Sequence, residues 1–201
     1  MKDLYYDQML NIKTTEEQKG IHSSIHYHRY EPTPYEALDY LFQYYSVPKE
    51  GNLIDFGCGK GRLNFFVHYL FQKKVTGIEM NETFVEEALQ NKRNYWLKRR
   101  EIRDDINFLH CLAEQYEIDE EDNVFYFFNP FTVQIFMKVV HNIWSSYEKH
   151  PRTMDIVLYY PSKDYTFFLE EQTPVELAQE VQLPQYRHNP YEKFLIYRFN
   201  E

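Results

Sequence analysis

The stretch Leu53-Ile54-Asp55-Phe56-Gly57-Cys58-Gly59-Lys60-Gly61-Arg62 decides how the rest of the chain is read. Asn52–Phe56 is a short apolar run, three glycines follow at alternate positions, and Leu63, Phe66, Val67, Leu70 and Phe71 then recur at helical spacing. The order is strand, tight turn, helix. Glycine has no Cβ, so Gly57, Gly59 and Gly61 let the backbone turn sharply and come close to a ligand. A nucleotide-like ligand is one reading of such a turn; a plain strand-to-helix connection in some other α/β protein is the other.

Two acids separate those readings. Asp55 stands inside the end of the strand, a costly place for a carboxylate unless it is hydrogen-bonded, so it is expected to hold the loop or a cationic ligand group. Glu79 closes the next apolar run, Val75–Glu79, where a carboxylate accepts both hydroxyl hydrogens of a ribose. Together they outline half of a nucleoside site.

The same alternation continues outward. Asn81 is a candidate N-cap for a long helix carrying Phe84, Val85, Ala88, Tyr95 and Trp96. Ile106–His110 and 124–128 read as a third and fourth strand, the latter ended by Asn129-Pro130, with Phe136, Val140, Ile143, Trp144 and Tyr147 marking the helix after it. A fifth strand spans 154–160. Beyond it, a short helix over 164–171 and two strands over 176–183 and 194–199 form a hairpin-like pair that closes the sheet. Upstream, Thr33 and Glu36 fit a capping box with Pro34 at the first helical position, ahead of Leu38, Leu41, Phe42 and Tyr45. Strands alternating with helices predict an open α/β sheet, with the ligand at the carboxyl ends of the strands where their order reverses.

Composition narrows the class. With 201 residues the chain closes one sizeable core, and the expectation is a single domain. No apolar run approaches the length of a membrane span, and residues 1–10 mix charges with Tyr5 and Tyr6, so neither a membrane nor a secretory signal is expected and the cytoplasm is the expected location. Cys58 and Cys111 are read as free thiols. The net charge of −9 argues against a passive grip on nucleic acid, which is not the favoured partner. Lys92, Arg93, Lys98, Arg99, Arg100 and Arg103 concentrate positive charge late in the long helix and just beyond it, where cations complement the helix dipole. His22, His26 and His28 match no closed zinc site, so no metal is expected; packing, or service as a base on an acceptor, are the other readings.

Leu53 to Arg62 followed by Gly77-Ile78-Glu79-Met80 resembles the first two motifs of class I S-adenosylmethionine (AdoMet) dependent methyltransferases. The dinucleotide fingerprint spaces its glycines G-x-G-x-x-G; this loop reads G-x-G-x-G after an acid. The resemblance implies a Rossmann-like, mostly parallel sheet of about seven strands with helices on both faces and an antiparallel C-terminal pair. Residues 1–48 would be a cap segment and helix, 49–160 the AdoMet-binding core, and 161–201 the C-terminal strands and acceptor-side loops.

By the same resemblance, the loop backbone at Gly57, Cys58, Gly59 and Gly61 contacts the methionine part of AdoMet, Glu79 binds the ribose and Met80 covers the adenine. Cys111-Leu112-Ala113-Glu114 stands where the family carries an acid followed by Ala; Leu112 departs from that pattern, which leaves adenine to backbone groups near Leu112 and Ala113 or to Glu114. Asn129-Pro130-Phe131 resembles the Asn-Pro-Pro-aromatic motif of enzymes that methylate amino or amide nitrogens, one proline short. In those enzymes the Asn and a backbone carbonyl accept hydrogen bonds from the target NH2 and the ring stacks on a flat acceptor. Tyr30-Glu31-Pro32-Thr33-Pro34-Tyr35 resembles segments that lie over the cofactor, with Tyr30 and Thr33 as contacts and the helix N-terminus suited to a carboxylate. The expected function is AdoMet-dependent methyl transfer to an unidentified acceptor, with a nitrogen on a small molecule, protein or RNA favoured. A non-catalytic AdoMet-binding protein and a nicotinamide-dependent oxidoreductase are the alternatives.

Overall fold

A computed structural model describes residues 2–15, 31–100 and 105–200. His22, His26, His28, Tyr30 and Arg103 lie outside the described residues. Seven strands form one sheet: β1 (Asn52–Phe56), β2 (Val75–Glu79), β3 (Ile106–His110), β4 (Asp122–Phe127), β5 (Met154–Tyr159), β6 (Glu176–Gln182) and β7 (Lys193–Phe199). Their order is β3-β2-β1-β4-β5-β7-β6, parallel through the first five, with β7 antiparallel to both of its neighbours. The chain winds one way from β1 through β2 to β3 and the other way from β4 onward. The switch point therefore falls between β1 and β4, where a ligand crevice opens at the carboxyl ends of the strands.

The helices α1 (Lys2–Leu10), α2 (Tyr35–Tyr44), α3 (Arg62–Phe71), α4 (Glu82–Arg99), α5 (Val133–Lys149) and α6 (Lys163–Gln172) cover the sheet. Two cores follow from strand alternation. Tyr126, Val157 and Tyr159 join Leu38, Leu41, Phe65 and Phe66 on the face of α2 and α3, while Phe125, Phe127 and Leu158 join Phe136, Val140 and Phe168 on the face of α5 and α6. The seven-stranded sheet with its reversed C-terminal pair is the architecture expected from the sequence.

Two local expectations change. The Thr33–Glu36 capping box does not form: α2 begins at Tyr35 with Pro34 as N-cap and no side-chain cap. The Thr33 hydroxyl is instead hydrogen-bonded to the buried Tyr126 hydroxyl at 2.7 Å, and Glu36 pairs with Lys2 at 3.0 Å. A buried hydroxyl is better satisfied by a buried partner than by a helix end that another acid already meets. That acid belongs to α1, which the sequence pattern did not announce. Asp3 accepts the Tyr35 N–H at 3.2 Å, so this helix end is met by the chain's own carboxylate.

Candidate active site

The glycine turn is built for close approach. Gly57, Gly59 and Gly61 have φ of 78°, 53° and 85°, in the left-handed region that a Cβ disfavours. A Cβ on Gly57 would lie 2.6 Å from Pro130 Cβ, and one on Gly61 would lie 2.5 Å from the Phe108 ring. The first of these contacts is the informative one, because it sets the turn after β1 directly against Asn129-Pro130 after β4. The two sequence motifs thus meet at the switch point.

Backbone bonds pin the turn to β2. Gly57 N–H and Cys58 N–H both donate to the Ile78 carbonyl, at 2.9 and 3.1 Å, and Gly61 N–H donates to the Cys58 carbonyl at 2.9 Å. Glu79 then clamps it from the side: one carboxylate oxygen accepts the Gly59 N–H at 2.9 Å and the other accepts the Asn81 N–H at 2.8 Å. A carboxylate has about four acceptor positions, so this use leaves capacity for the hydroxyls of a ribose. Asn81 caps α4 as expected, accepting Thr83 N–H at 3.0 Å.

Asp55 is 5 % exposed on the strand beside Glu79. Burial, and secondarily the charge of Glu79, push its carboxyl up to about 8. A buried acid under that pressure is a natural host for a ligand cation, which would restore its charged form. The Cys58 thiol is likewise pushed up, by burial first and then by the nearby acids Asp55 and Glu79. Its sulfur packs where a Gly77 side chain would begin, 2.5 Å from an added Cβ. Cys58 and Cys111 are both free. Cys58 is a packing element of the turn.

Beyond Glu79, Met80 is half-buried and its carbonyl is hydrogen-bonded to His110 Nε2 at 2.9 Å. The segment after β3 comes alongside through Cys111 N–H, which donates to the Glu79 carbonyl at 3.2 Å. Leu112 is half-buried and Ala113 is buried. Their carbonyls accept Gln115 and Tyr116 N–H groups in a one-turn helix over Ala113–Gln115. Glu114 lies 3.9 Å from Lys138. Met80 and Cys111 thus stand next to Glu79 along the chain and across the β2–β3 pair, and Leu112 follows directly.

After β4, Asn129 is half-buried with φ of 41°, a left-handed conformation that Asn tolerates and that turns the chain sharply out of the strand. Pro130 is half-buried against the glycine turn. The Phe131 ring is 1 % exposed and packs edge-on to Phe127 at 6.1 Å in the α5 core. Its carbonyl accepts a hydrogen bond from the Tyr165 hydroxyl.

Residues the sequence reading passed over hold the site together. Arg62, 3 % exposed at the start of α3, donates to Thr14 Oγ1 at 2.7 Å, to Asp3 at 2.9 Å and to the Thr33 carbonyl at 3.3 Å, and lies over the Tyr35 ring at 4.7 Å. Asp7, buried in α1, accepts the Thr14 N–H and hydroxyl and the Tyr35 hydroxyl. Asn91 bridges the Lys13 and Lys60 carbonyls at 3.1 Å each. The N-terminal segment is thereby fastened to the helix that leaves the glycine turn. The one sequence signal for this is Arg62, a cation placed directly after the last glycine.

Residues 35–128 match a family model described as a methyltransferase domain. Comparison with curated proteins gives no significant match. Among solved structures, the chain resembles an RNA methyltransferase from Salinibacter ruber in complex with S-adenosyl-L-homocysteine, with 17% identity over 84% of this chain and 92% of that one and a TM-score of 0.56. It also resembles the geranyl diphosphate C-methyltransferase of Streptomyces coelicolor A3(2), at 14% identity, 83% and 79% coverage and a TM-score of 0.56. A third, the StiE O-MT domain, gives 12% identity, 83% and 74% coverage and a TM-score of 0.59. At these identities the likeness is one of fold.

Proposed function

We propose that this chain, whose residues 35–128 match a methyltransferase-domain model and whose fold is Rossmann-like, is a methyltransferase that takes its methyl from AdoMet held at the switch point and delivers it to a nitrogen beside Asn129. The donor is S-adenosylmethionine: the residues present fit it, and related folds were crystallised with its product. Bound there, AdoMet supplies an electrophilic methyl on a positively charged sulfur; the acceptor lone pair forms the new bond and the old bonding pair stays with sulfur.

What the chain supplies is alignment. Glu79 orients the ribose while holding Gly59, Asp55 receives the ammonium group, and Met80 and Leu112 flank the adenine. Asn129 offers a side-chain carbonyl to the N–H of an acceptor, which would point that nitrogen's lone pair toward the donor, and alignment of this kind is a major source of rate. A nitrogen gives up a proton as it is methylated, so an oriented N–H acceptor serves the transition state as well as the ground state. The three methyltransferases above act, by their names, on RNA, on carbon and on oxygen; the fold leaves the acceptor open, and the nitrogen reading rests on Asn129.

The close approach of the Gly57 turn to Pro130 is the observation that supports this proposal, because Asn129 is the residue next to Pro130. Labelled methyl from AdoMet followed onto fractionated cell extract tests it. Transfer to a nitrogen is expected, and Asn129→Ala should slow it roughly 10- to 100-fold, with AdoMet binding changed less than threefold or so. Label appearing only on oxygen or carbon would overturn the nitrogen assignment. No transfer to any fraction would favour a binding protein.

A further inference from the structure

Past Asn129, at the ends of β4 and β5, four rings form a connected cluster that the donor site does not use. Phe128 lies 4.6 Å from Tyr159 and 6.5 Å from Tyr160, and Tyr160 stacks on Tyr191 at 5.4 Å with 29° between the planes. Strand alternation explains the placement. Phe127 points into the α5 core, so Phe128 is turned to the α2 face, immediately before Asn129. Tyr160 has φ of 51°, uncommon for a bulky residue, and is held by its N–H donating to the Lys193 carbonyl at 3.1 Å and its hydroxyl accepting from Asn189 at 3.0 Å. Phe128 and Tyr160 are half-buried and Tyr191 is exposed.

Two carboxylates border these rings. Glu192 accepts the Tyr159 hydroxyl at 2.9 Å, and Glu31 is near enough to add to the upward push on that hydroxyl, which burial dominates. Among the described residues neither acid is paired with a basic side chain. The neighbouring Lys193 is engaged elsewhere, 3.5 Å from Glu180 and 5.6 Å from the Tyr186 ring centre. Tyr159 and Glu192 also line the end of a cleft of about 620 Å³ beside α2, which does not include Phe128, Tyr160 or Tyr191.

We infer that this cluster is the acceptor subsite and that it selects a small molecule carrying a cationic ammonium group, seated against the rings between Glu31 and Glu192. Resting on the methyl-transfer reading above, this names the substrate class of that same site. Aromatic faces attract cations, and two acids without a cationic partner strengthen the attraction where water is partly displaced. The chain's net charge of −9 works in the same direction and against a polyphosphate acceptor. A protonated nitrogen has no lone pair to give, so the recognised cation and the methylated nitrogen are separate groups of one acceptor. The first sits at the rings and the second at Asn129.

The test uses the full chain, with and without saturating S-adenosylhomocysteine, titrated with choline and with its neutral carbon isostere 3,3-dimethylbutan-1-ol while tyrosine fluorescence is followed. Choline should bind about tenfold more tightly than the isostere. Tyr191→Ala and Glu192→Gln should each erode that preference while leaving S-adenosylhomocysteine binding intact. Equal affinity for the two probes, no binding of choline, a preference that survives Tyr191→Ala, or tighter binding of cytidine than of choline would each overturn the inference. Failure of S-adenosylhomocysteine to bind would count against the donor reading, and the choline comparison without it would still decide the cation subsite.

Discussion

Asp55 and Asp155 are both buried aspartates on interior strands, 5 % and 0 % exposed, and they sit toward opposite ends of the parallel strands. Asp155, near the start of β5, is surrounded by donors: Arg198 gives it two hydrogen bonds, at 2.7 and 2.9 Å, and the Tyr45 hydroxyl a third at 2.7 Å. Asp55, near the end of β1, has another acid beside it and a carboxyl pushed up to about 8, mainly by burial. Asp155 ties the C-terminal strand to the sheet through Arg198. Burial presses Asp55 toward its neutral form, and a ligand cation would act against that pressure. Residue type and burial do not separate structure from function here; the company each acid keeps does.

Among the substitutions, removing Asp155 should produce the largest loss of stability. Asp155→Ala leaves the Arg198 guanidinium and the Tyr45 hydroxyl without their acceptor. Breaking a buried pair typically costs 3–5 kcal/mol. Because the Arg198 side chain is 35% exposed, about 2–3 kcal/mol is expected, a fall of roughly 5–10 °C in Tm. Calorimetry with and without S-adenosylhomocysteine should show ligand stabilisation intact in this variant. A variant that kept its Tm would remove the structural half of the comparison.

Gly57→Ala comes next, with about 2 kcal/mol of destabilisation from the positive φ and the overlap with Pro130. Here the loss of S-adenosylhomocysteine affinity should exceed what the folded fraction explains, because the same overlap pries the donor turn from Asn129. Titration of the folded variant reads this directly. Unchanged affinity would mean that the Gly57–Pro130 contact is not part of the site.

A third test is in pH. With its folded pKa near 8 against an ordinary 3.8, Asp55 in the ligand-free protein holds a proton between roughly pH 4 and 8 that the unfolded chain has lost. Its contribution to stability is therefore fully present below pH 4 and lost as pH rises toward 8. Binding of a cationic ligand group favours the ionised acid, so affinity for S-adenosylhomocysteine should rise with pH up to about 8, by at most about tenfold per unit. Asp55→Asn should flatten both trends. A pH profile identical in wild type and variant would sharpen the comparison by moving the proton to another group.

The parts of the fold that were legible are those written locally. Five strands, the glycine turn, Glu79 at the end of β2 and the Asn81 cap all rest on neighbours within a few residues. The sheet order follows from alternation of strand and helix. What was not legible depends on distant partners. α1 buries Asp7 and Leu10, so its packing is carried by a carboxylate network reaching Thr14, Tyr35 and Arg62, and no apolar stripe announces it. Thr33 had a capping partner three residues on, but a buried tyrosine 93 residues away claimed its hydroxyl. Phe131 belongs to a segment whose strand is buried on both faces, where alternation is silent about which way a ring turns. The proposed acceptor side draws on β4, β5 and the segment before β7, which explains why Asn129 could be picked out from its motif while Tyr160, Tyr191 and Glu192 could not.

The central claim is that Glu79 does two jobs in one place, holding the Gly59 turn and receiving the ribose of the donor. Isothermal titration of S-adenosylhomocysteine into wild type and Glu79→Ala, with NAD as a control, tests it most directly. One site per chain is expected in the wild type, a loss of roughly 100-fold in the variant, since hydrogen bonds to a charged group contribute about 1.5–3 kcal/mol each, and no binding of NAD. Equal affinity in the two proteins, or binding of NAD in place of S-adenosylhomocysteine, would contradict the account.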